Sequence, residues 1–218
     1  MGLRTVLLLN IIMVLLAVTG CQTVYYGTLE KVGVHKRDLM VTRVQDARDA
    51  QDEAKQQFQS AFEQFTSIVE VKAGDLEKKY NTLNDAYRES KAKADQVSKR
   101  IESVESVSRA LFDEWEDELG QYSSASLRED SRRKLQQTRR DYERLIQAMK
   151  KAEKKIQPVL QAFHDQVLYL KHNLNAQAIS SLRNEMVTIE DNVAALVREM
   201  EASIREAELF IQALKREG

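Results

Sequence analysis

The chain has 218 residues, with 33 Lys and Arg against 34 Asp and Glu, and one cysteine. A net charge near zero excludes the strong positive field typical of nucleic-acid-binding proteins, and a single cysteine excludes an internal disulfide or a metal site built from several thiolates. Seven glycines, one proline and a charged fraction of 31% are typical of long helices.

The first twenty residues have the pattern of a secretory signal peptide. Arg4 supplies a positive start, and residues 5–18 are apolar except for Asn10. This run is shorter than the roughly 20 residues that a membrane-spanning helix needs, and it ends in small residues, as cleaved signals do. We therefore expect residues 1–20 to be removed, which leaves 32 basic and 34 acidic residues in the mature chain because Arg4 is the one charged residue lost.

The end of this apolar run, Val18-Thr19-Gly20-Cys21, resembles a bacterial lipobox. The resemblance implies cleavage before Cys21, a diacylglycerol on its sulfur and a third acyl chain on its new amino group. Two or more chains hold a protein stably on a membrane. By analogy with bacterial lipoproteins, Gln22 in place of an aspartate favours the periplasmic side of the outer membrane. The alternative is a secreted protein with a free or buried cysteine.

Four segments follow in which apolar residues recur at alternating steps of three and four, the spacing of a coiled-coil seam. The first seam runs through Met40, Val44, Ala47, Gln51, Ala54, Phe58, Ala61, Phe65 and Ile68. The second runs through Leu76, Tyr80, Leu83, Tyr87, Ser90, Ala94, Val97, Ile101, Val104, Ser108, Leu111 and Trp115. The third runs through Leu135, Thr138, Tyr142, Leu145, Met149, Ala152, Ile156, Val159 and Phe163. The fourth runs through Ile179, Leu182, Met186, Ile189, Val193, Leu196, Met200, Ser203, Ala207, Phe210 and Leu214.

Breaks separate the seams. Gly74-Asp75 indicates a helix stop and an N-cap, Ser126 with Glu129 indicates a capping box, and Asn175 is a further candidate N-cap. The predicted helices, each about 60 Å long, span 35–72, 75–122, 126–173 and 175–217. Short connections require antiparallel neighbours, so we predict an all-α fold: an elongated antiparallel four-helix bundle of coiled-coil type over residues 35–218, tethered by residues 21–34. The alternative is an extended coil that needs a second chain, which keeps homo-oligomerisation open.

Pro158 lies inside the third seam, where a proline costs about 3 kcal/mol in a helix interior. Ile156, Val159 and Phe163 stay in phase across it, so we expect a third helix that is kinked at Pro158 but continuous. The alternative is a break, with a fifth short helix from Pro158 to His172.

Two blocks of opposite charge flank the turn near Ser124. Acidic residues fill Asp113–Glu118 apart from Trp115, and Arg132–Lys134 is wholly basic. Folded back at the turn, the blocks would face each other, although each exposed ion pair contributes only about 0–1 kcal/mol.

No catalytic or metal-binding arrangement stands out. His164 and His172 are about 12 Å apart along a helix, and no histidine has the Glu three residues before it that di-iron bundles use. We interpret the carboxylates of Asp113–Glu118 as a solvated face and Trp115 as core. Lys150–Lys155 is interpreted as solvated surface, with contact to phosphates or lipid headgroups as the alternative. We therefore expect no enzymatic activity, no metal and no cofactor.

Three segments carry a family resemblance: "VGVHKRDLMVTRVQDARDAQDEAKQQFQSAFEQF", "ALFDEWEDEL" and "DQVLYLKHNLNAQAI". They resemble a bacterial family of uncharacterised predicted lipoproteins, the domain of unknown function 2959 family, from Tyr25 to the C-terminus. The resemblance implies a bacterial envelope protein. It transfers no catalytic residue, because the family has no assigned activity.

These patterns predict a membrane-anchored helical module that binds an envelope protein and no nucleic acid. With Cys21 in the membrane, the turns at Gly74 and at Leu170–Asn175 would form the far tip of a post, and the Ser123–Ser126 turn and the C-terminus would lie near the membrane. The candidate partner-binding residues at the tip are Lys171, His172, Asn173 and Asn175. Helix capping is the alternative for the asparagines.

A different hypothesis is an envelope-stress or membrane-surface-binding protein whose apolar seam opens onto lipid.

Overall fold

The computed structural model describes residues 35–70, 76–173 and 176–216. They form four long helices: α1 (Lys36–Glu70), α2 (Leu76–Leu119), α3 (Ala125–His172) and α4 (Ala176–Arg216). The predicted signal peptide, the lipidation site at Cys21, the tether, and the caps expected at Asp75 and Asn175 lie outside the described residues.

The four helices form a square in which each packs against the next along the chain and α4 closes against α1. Lys36 Nζ binds Glu114 Oε1 at 2.6 Å, and Arg37 Nη2 donates to the Leu214 carbonyl oxygen at 2.7 Å. The start of α1 therefore lies beside the ends of α2 and α4. We call this the proximal end, and the opposite end, where α3 finishes at His172, the distal end. The prediction of an all-α antiparallel four-helix bundle is confirmed.

The apolar seams are buried inside this one chain. Every seam residue whose side chain is described is buried or half-buried. Near the distal end the rings of Phe65 and Phe163 stack across the centre at 4.5 Å between centroids, and Phe58 lies 6.2 Å from the same ring. Complete burial of one such side chain contributes roughly 1.5–3 kcal/mol, so the diagonal stack between α1 and α3 is a principal contact of the core.

Pro158 lies within α3, which is continuous from Ala125 to His172. The alternative of a break and a fifth helix is therefore wrong. Pro158 is exposed on the outer side of α3. Proline has no N–H to donate to the Lys154 carbonyl, four residues earlier in the helix. Because Pro158 faces outward, water can bond to that carbonyl instead. The kink at this position stays a prediction.

The hairpin between α2 and α3 differs from the expected capping. The N-cap of α3 is Ser124, whose side chain accepts a hydrogen bond from the Leu127 N–H at 3.4 Å. Ser126 instead bonds to the Ser124 hydroxyl at 3.0 Å, and Glu129 pairs with Arg132. The predicted Ser126–Glu129 capping box is therefore wrong by two residues.

The charge blocks also pair differently from the expectation. All three cations of the second block bind acids of their own helix, as Arg132 with Glu129, Arg133 with Asp130 and Lys134 with Asp130. Across the hairpin, Glu116 binds Arg139 at 2.9 Å, and Trp115 Nε1 donates to Ser131 Oγ at 2.8 Å. Trp115 is half-buried, so it joins the helices both by packing and by a hydrogen bond.

One polar pair interrupts the core between α1 and α4. Ser203 Oγ donates to Gln51 Oε1 at 2.7 Å, and both side chains are fully buried. Gln51 Nε2 has no hydrogen-bond acceptor in the described part of the chain. Shifting one helix by a turn would leave both polar groups facing apolar side chains, so the pair favours one register.

Replacing the central aromatic residue should destabilise the bundle. We expect Phe163→Ala to lower the free energy of unfolding by about 3–5 kcal/mol, because it removes the stack and leaves a cavity. Leu209→Ala is the control: Leu209 is 58% exposed on α4, and its loss should change the free energy by about 0.5 kcal/mol or less. Urea denaturation of both variants measures the difference, and equal midpoints would contradict the described core.

The buried pair makes a second stability prediction. Ser203→Ala should cost about 1–3 kcal/mol, because the Gln51 amide then loses its one partner. The double variant Gln51→Leu/Ser203→Ala should recover or exceed the original stability. Light scattering tests register at the same time: if the pair specifies this bundle, the double variant gains oligomers that the parent lacks. A neutral Ser203→Ala would argue against the hydrogen bond.

Candidate functional site

The described part of the predicted tip lies at the distal end. Lys171 and His172 are the last two residues of α3, and both side chains are exposed. Asn173 follows them and is half-buried. Asn175, the fourth predicted residue, lies outside the described residues. The structure thus places three of the four at one end of one helix, and whether they bind a partner stays a prediction.

Asn173 is the C-cap of α3. Its backbone N–H bonds to the Leu170 carbonyl at 3.2 Å, and its Nδ2 donates to the Tyr169 carbonyl at 3.0 Å. These bonds satisfy two carbonyls that a helix end otherwise leaves unpaired. The Asn173 side chain is therefore used by the fold, and Lys171 and His172 are the described tip residues that face solvent.

An apolar surface beside the tip was missed by the sequence reasoning. Leu168 and Tyr169 on α3 are 44% and 40% exposed, although large apolar side chains are usually covered at a helix packing face. Tyr169 lines a groove between α3 and α4, together with Asp165 and Gln166 of α3 and Ser181, Leu182 and Glu185 of α4. The available signal was that Leu168 and Tyr169 are apolar yet off the seam.

Gln166 gives this distal groove its polar character. The side chain is 6% exposed, and its Oε1 is buried without a hydrogen-bond partner in the described residues. A buried acceptor left unpaired costs free energy, and a donor from a bound molecule would remove that cost. The carboxylates of Asp165 and Glu185 flank it. The groove therefore suits a segment that brings an apolar side chain for Tyr169 and Leu182 together with a hydrogen-bond donor or a positive charge.

The shifted pKa values of described groups do not indicate acid–base catalysis. Burial raises the pKa of Tyr142. A hydrogen bond to Glu105 raises the pKa of Lys150, and one from Lys134 lowers the pKa of Asp130. Each shift moves the group's pKa further from neutrality. A general acid or base works best with a pKa near the working pH, so these groups serve as fixed charges or fixed donors.

The histidines are dispersed. The His164 ring lies against Tyr87, with 5.3 Å between centroids, and His172 ends α3. Within residues 35–70, 76–173 and 176–216, no three His, Cys, Asp or Glu side chains gather in a metal-binding arrangement. None of the helices in these ranges combines the length and the apolar character needed to cross a membrane.

Comparison with known proteins identifies the family. A search of curated proteins gives no match. The family model described as "Protein of unknown function (DUF2959)" matches residues 25–214, which include all the described helices apart from the last two residues of α4. The matched region covers most of the chain, as the resemblance in the sequence led us to expect. The chain belongs to the DUF2959 family, whose function is unknown.

Proposed function

We propose that the protein is a membrane-anchored bacterial envelope lipoprotein, without enzymatic activity, that acts as a helical structural and interaction module. The observation that carries the proposal is the distal groove. Exposed Tyr169 lines the same groove as Gln166, whose Oε1 is buried and has no hydrogen-bond partner in the described residues. An exposed apolar surface next to an unsatisfied acceptor is a feature of a binding surface, since both costs are removed when a partner covers it.

The sequence pattern at Cys21 supports the anchor. Residues 22–35 link that position to α1, and such a segment reaches about 50 Å at most when extended. The distal groove lies at the other end of helices that are up to about 70 Å long. The length of the bundle would therefore set the distance between the anchor and a partner bound at the groove.

The core argues against the rival hypothesis that the seam opens onto lipid. Opening would expose Phe58, Phe65 and Phe163, which are fully buried. Lipid would keep these rings out of water, but opening would break the Phe65–Phe163 stack, which contributes about 0.5–1.5 kcal/mol. It would also place the hydrogen-bonded Gln51–Ser203 pair against hydrocarbon. These contacts favour a bundle that stays closed and binds a partner on its outer surface over one that opens onto lipid.

The anchor is tested by its one cysteine. Cys21→Ser removes the sulfur that would carry the diacylglycerol, so the protein should move from the membrane fraction to the soluble or unprocessed fraction of cells. The control is Gln22→Asn, which keeps Cys21 and should leave membrane fractionation unchanged. A Cys21→Ser protein that is cleaved to the size of the parent and is recovered equally in the membrane fraction would refute lipid anchoring at this residue.

The groove is tested by crosslinking in living cells. A photoreactive residue in place of Tyr169, which lines the groove, should form adducts with an envelope protein. The crosslinked segment should contain Lys or Arg, which complement Asp165 and Glu185. Gln166→Leu should reduce the yield at least fivefold by deleting the acceptor. The control probe replaces Leu127, an exposed apolar residue at the proximal end, and should give different adducts or none.

The same experiment evaluates the residues predicted from sequence. Lys171→Ala/His172→Ala should lower the adduct yield at position 169 only if these exposed side chains contact the partner. Identical adducts from the Tyr169 and Leu127 probes, unaffected by Gln166→Leu, would remove the distal groove as the binding surface.

A further inference from the structure

The helices differ sharply in charge. α3 carries twelve Lys and Arg against six Asp and Glu. The other three helices are each net acidic: α1 has five basic and seven acidic residues, α2 has eight and eleven, and α4 has five and seven. The nearly neutral chain is therefore a rod with one basic side.

The basic side is a narrow line of exposed side chains. We define the α3 basic stripe as Arg133, Arg140, Arg144, Lys151 and Lys154, all of them exposed. Their spacings of seven, four, seven and three keep them on the outer side of α3, opposite its seam. The stripe is about 31 Å long at 1.5 Å per residue. It ends near Pro158, beyond which Gln161 and Leu168 continue the line without charge.

The stripe is available to an external anion. Within the described part of the chain, Arg140 bonds to the Gln137 side chain, at 2.6 Å, and to no carboxylate. Lys154 likewise has no ion-pair partner there. Pairs between exposed charges are weak, so an anionic surface can compete for the remaining cations. Those cations have acid partners within the bundle, as Arg133 with Asp130, Arg144 with Asp141 and Lys151 with Glu199.

The shape and composition of the stripe select among anionic partners. Protein interfaces depend on a few buried aromatic or apolar anchors, and between Arg133 and Lys154 the exposed outer positions are charged residues and glutamines. Four of the five stripe cations line two surface depressions, but each depression also contains carboxylates, Asp130 in one and Glu199 with Glu206 in the other. These carboxylates disfavour a compact anion at either place. A flat, extended anionic surface meets all five at once.

We propose that the α3 basic stripe is a docking face for an anionic lipid bilayer, on which the closed bundle lies lengthwise. The proposal rests on the proposed function only because the anchor would bring the bundle to the membrane. Residues 22–35 can reach about 50 Å at most, which exceeds the width of two packed helices. The proximal end can therefore stay close to the anchor while α3 rests on headgroups and the acidic helices face away.

Vesicle binding tests the stripe without the anchor. The mature chain, residues 21–218 with Cys21→Ser, is mixed with phosphatidylcholine vesicles that either contain or lack phosphatidylglycerol. The parent should bind the anionic vesicles better at low salt and lose that preference at high salt. The test variant has four stripe cations replaced, as Arg133→Gln/Arg140→Gln/Lys151→Gln/Lys154→Gln. We expect its affinity for the anionic vesicles to fall at least about tenfold.

A matched control separates the stripe from net charge. It removes four exposed cations of α2 and α4 instead, as Arg88→Gln/Lys91→Gln/Lys99→Gln/Arg198→Gln. Its net charge equals that of the stripe variant, and its binding should change less than about twofold. Equal losses in the two variants, or a parent without preference for phosphatidylglycerol, would overturn the proposal. Circular dichroism confirms that each variant is folded.

An acidic protein partner is the competing occupant, and soluble polyglutamate represents it. If the stripe variant loses binding to polyglutamate while its vesicle binding equals that of the parent, the stripe serves a protein and the lipid assignment fails. The vesicle experiment does not depend on the anchor. Fractionation of Cys21→Ser in cells tests lipidation, and vesicle binding tests the stripe, so either proposal can be refuted while the other stands.

Orientation supplies a second readout on the lipidated chain. A fluorophore is attached at Gln147→Cys, beside the stripe, or at Thr42→Cys, an exposed position on the diagonally opposite α1. On phosphatidylglycerol vesicles a headgroup quencher should reduce the Gln147 signal at least twofold more than the Thr42 signal. Equal quenching at both positions would show an upright rod and overturn the lengthwise docking.

Discussion

The structure depends on one constraint, namely that four apolar seams of the same period are buried against each other. A repeat of 3.5 residues keeps a single stripe of each long helix directed inward over many turns. Short connections leave antiparallel packing as the way to join the seams within one chain. The closure of α4 against α1 removes the last uncovered seam, and the outer faces are then free to carry charge and binding surfaces.

Much of this fold could be predicted from the sequence because hydrophobic periodicity is strong in long helices. The phase of Ile156, Val159 and Phe163 was sufficient to predict a continuous α3 across Pro158, since an outward-facing proline leaves the buried side intact. Local detail was less predictable. Ser124 and Ser126 both fit an N-cap, and the hairpin geometry decides between them. Arg132–Lys134 pair within α3, because acids three and four residues away are closer than the opposite helix.

The candidate site was predictable only in part. The position of Lys171 and His172 at a helix end follows from the length of the third segment. The distal groove does not, because Asp165 and Gln166 meet Ser181 and Leu182 only when the register between α3 and α4 is known. The charge excess of α3 is visible in the sequence. That this positive charge lies on one outer side of the bundle follows only once the packing of α3 against α2 and α4 is known.

The contact between Arg37 and the Leu214 carbonyl, together with the pair of Lys36 and Glu114, has a mechanical consequence. These bonds join the first turn of α1 to the ends of α4 and α2. A force transmitted along the chain from its N-terminal side would therefore enter three helices side by side, as shear, rather than peel α1 away turn by turn. Shear requires many contacts to break together, so the bundle should resist tension applied at that point better than its individual bonds suggest.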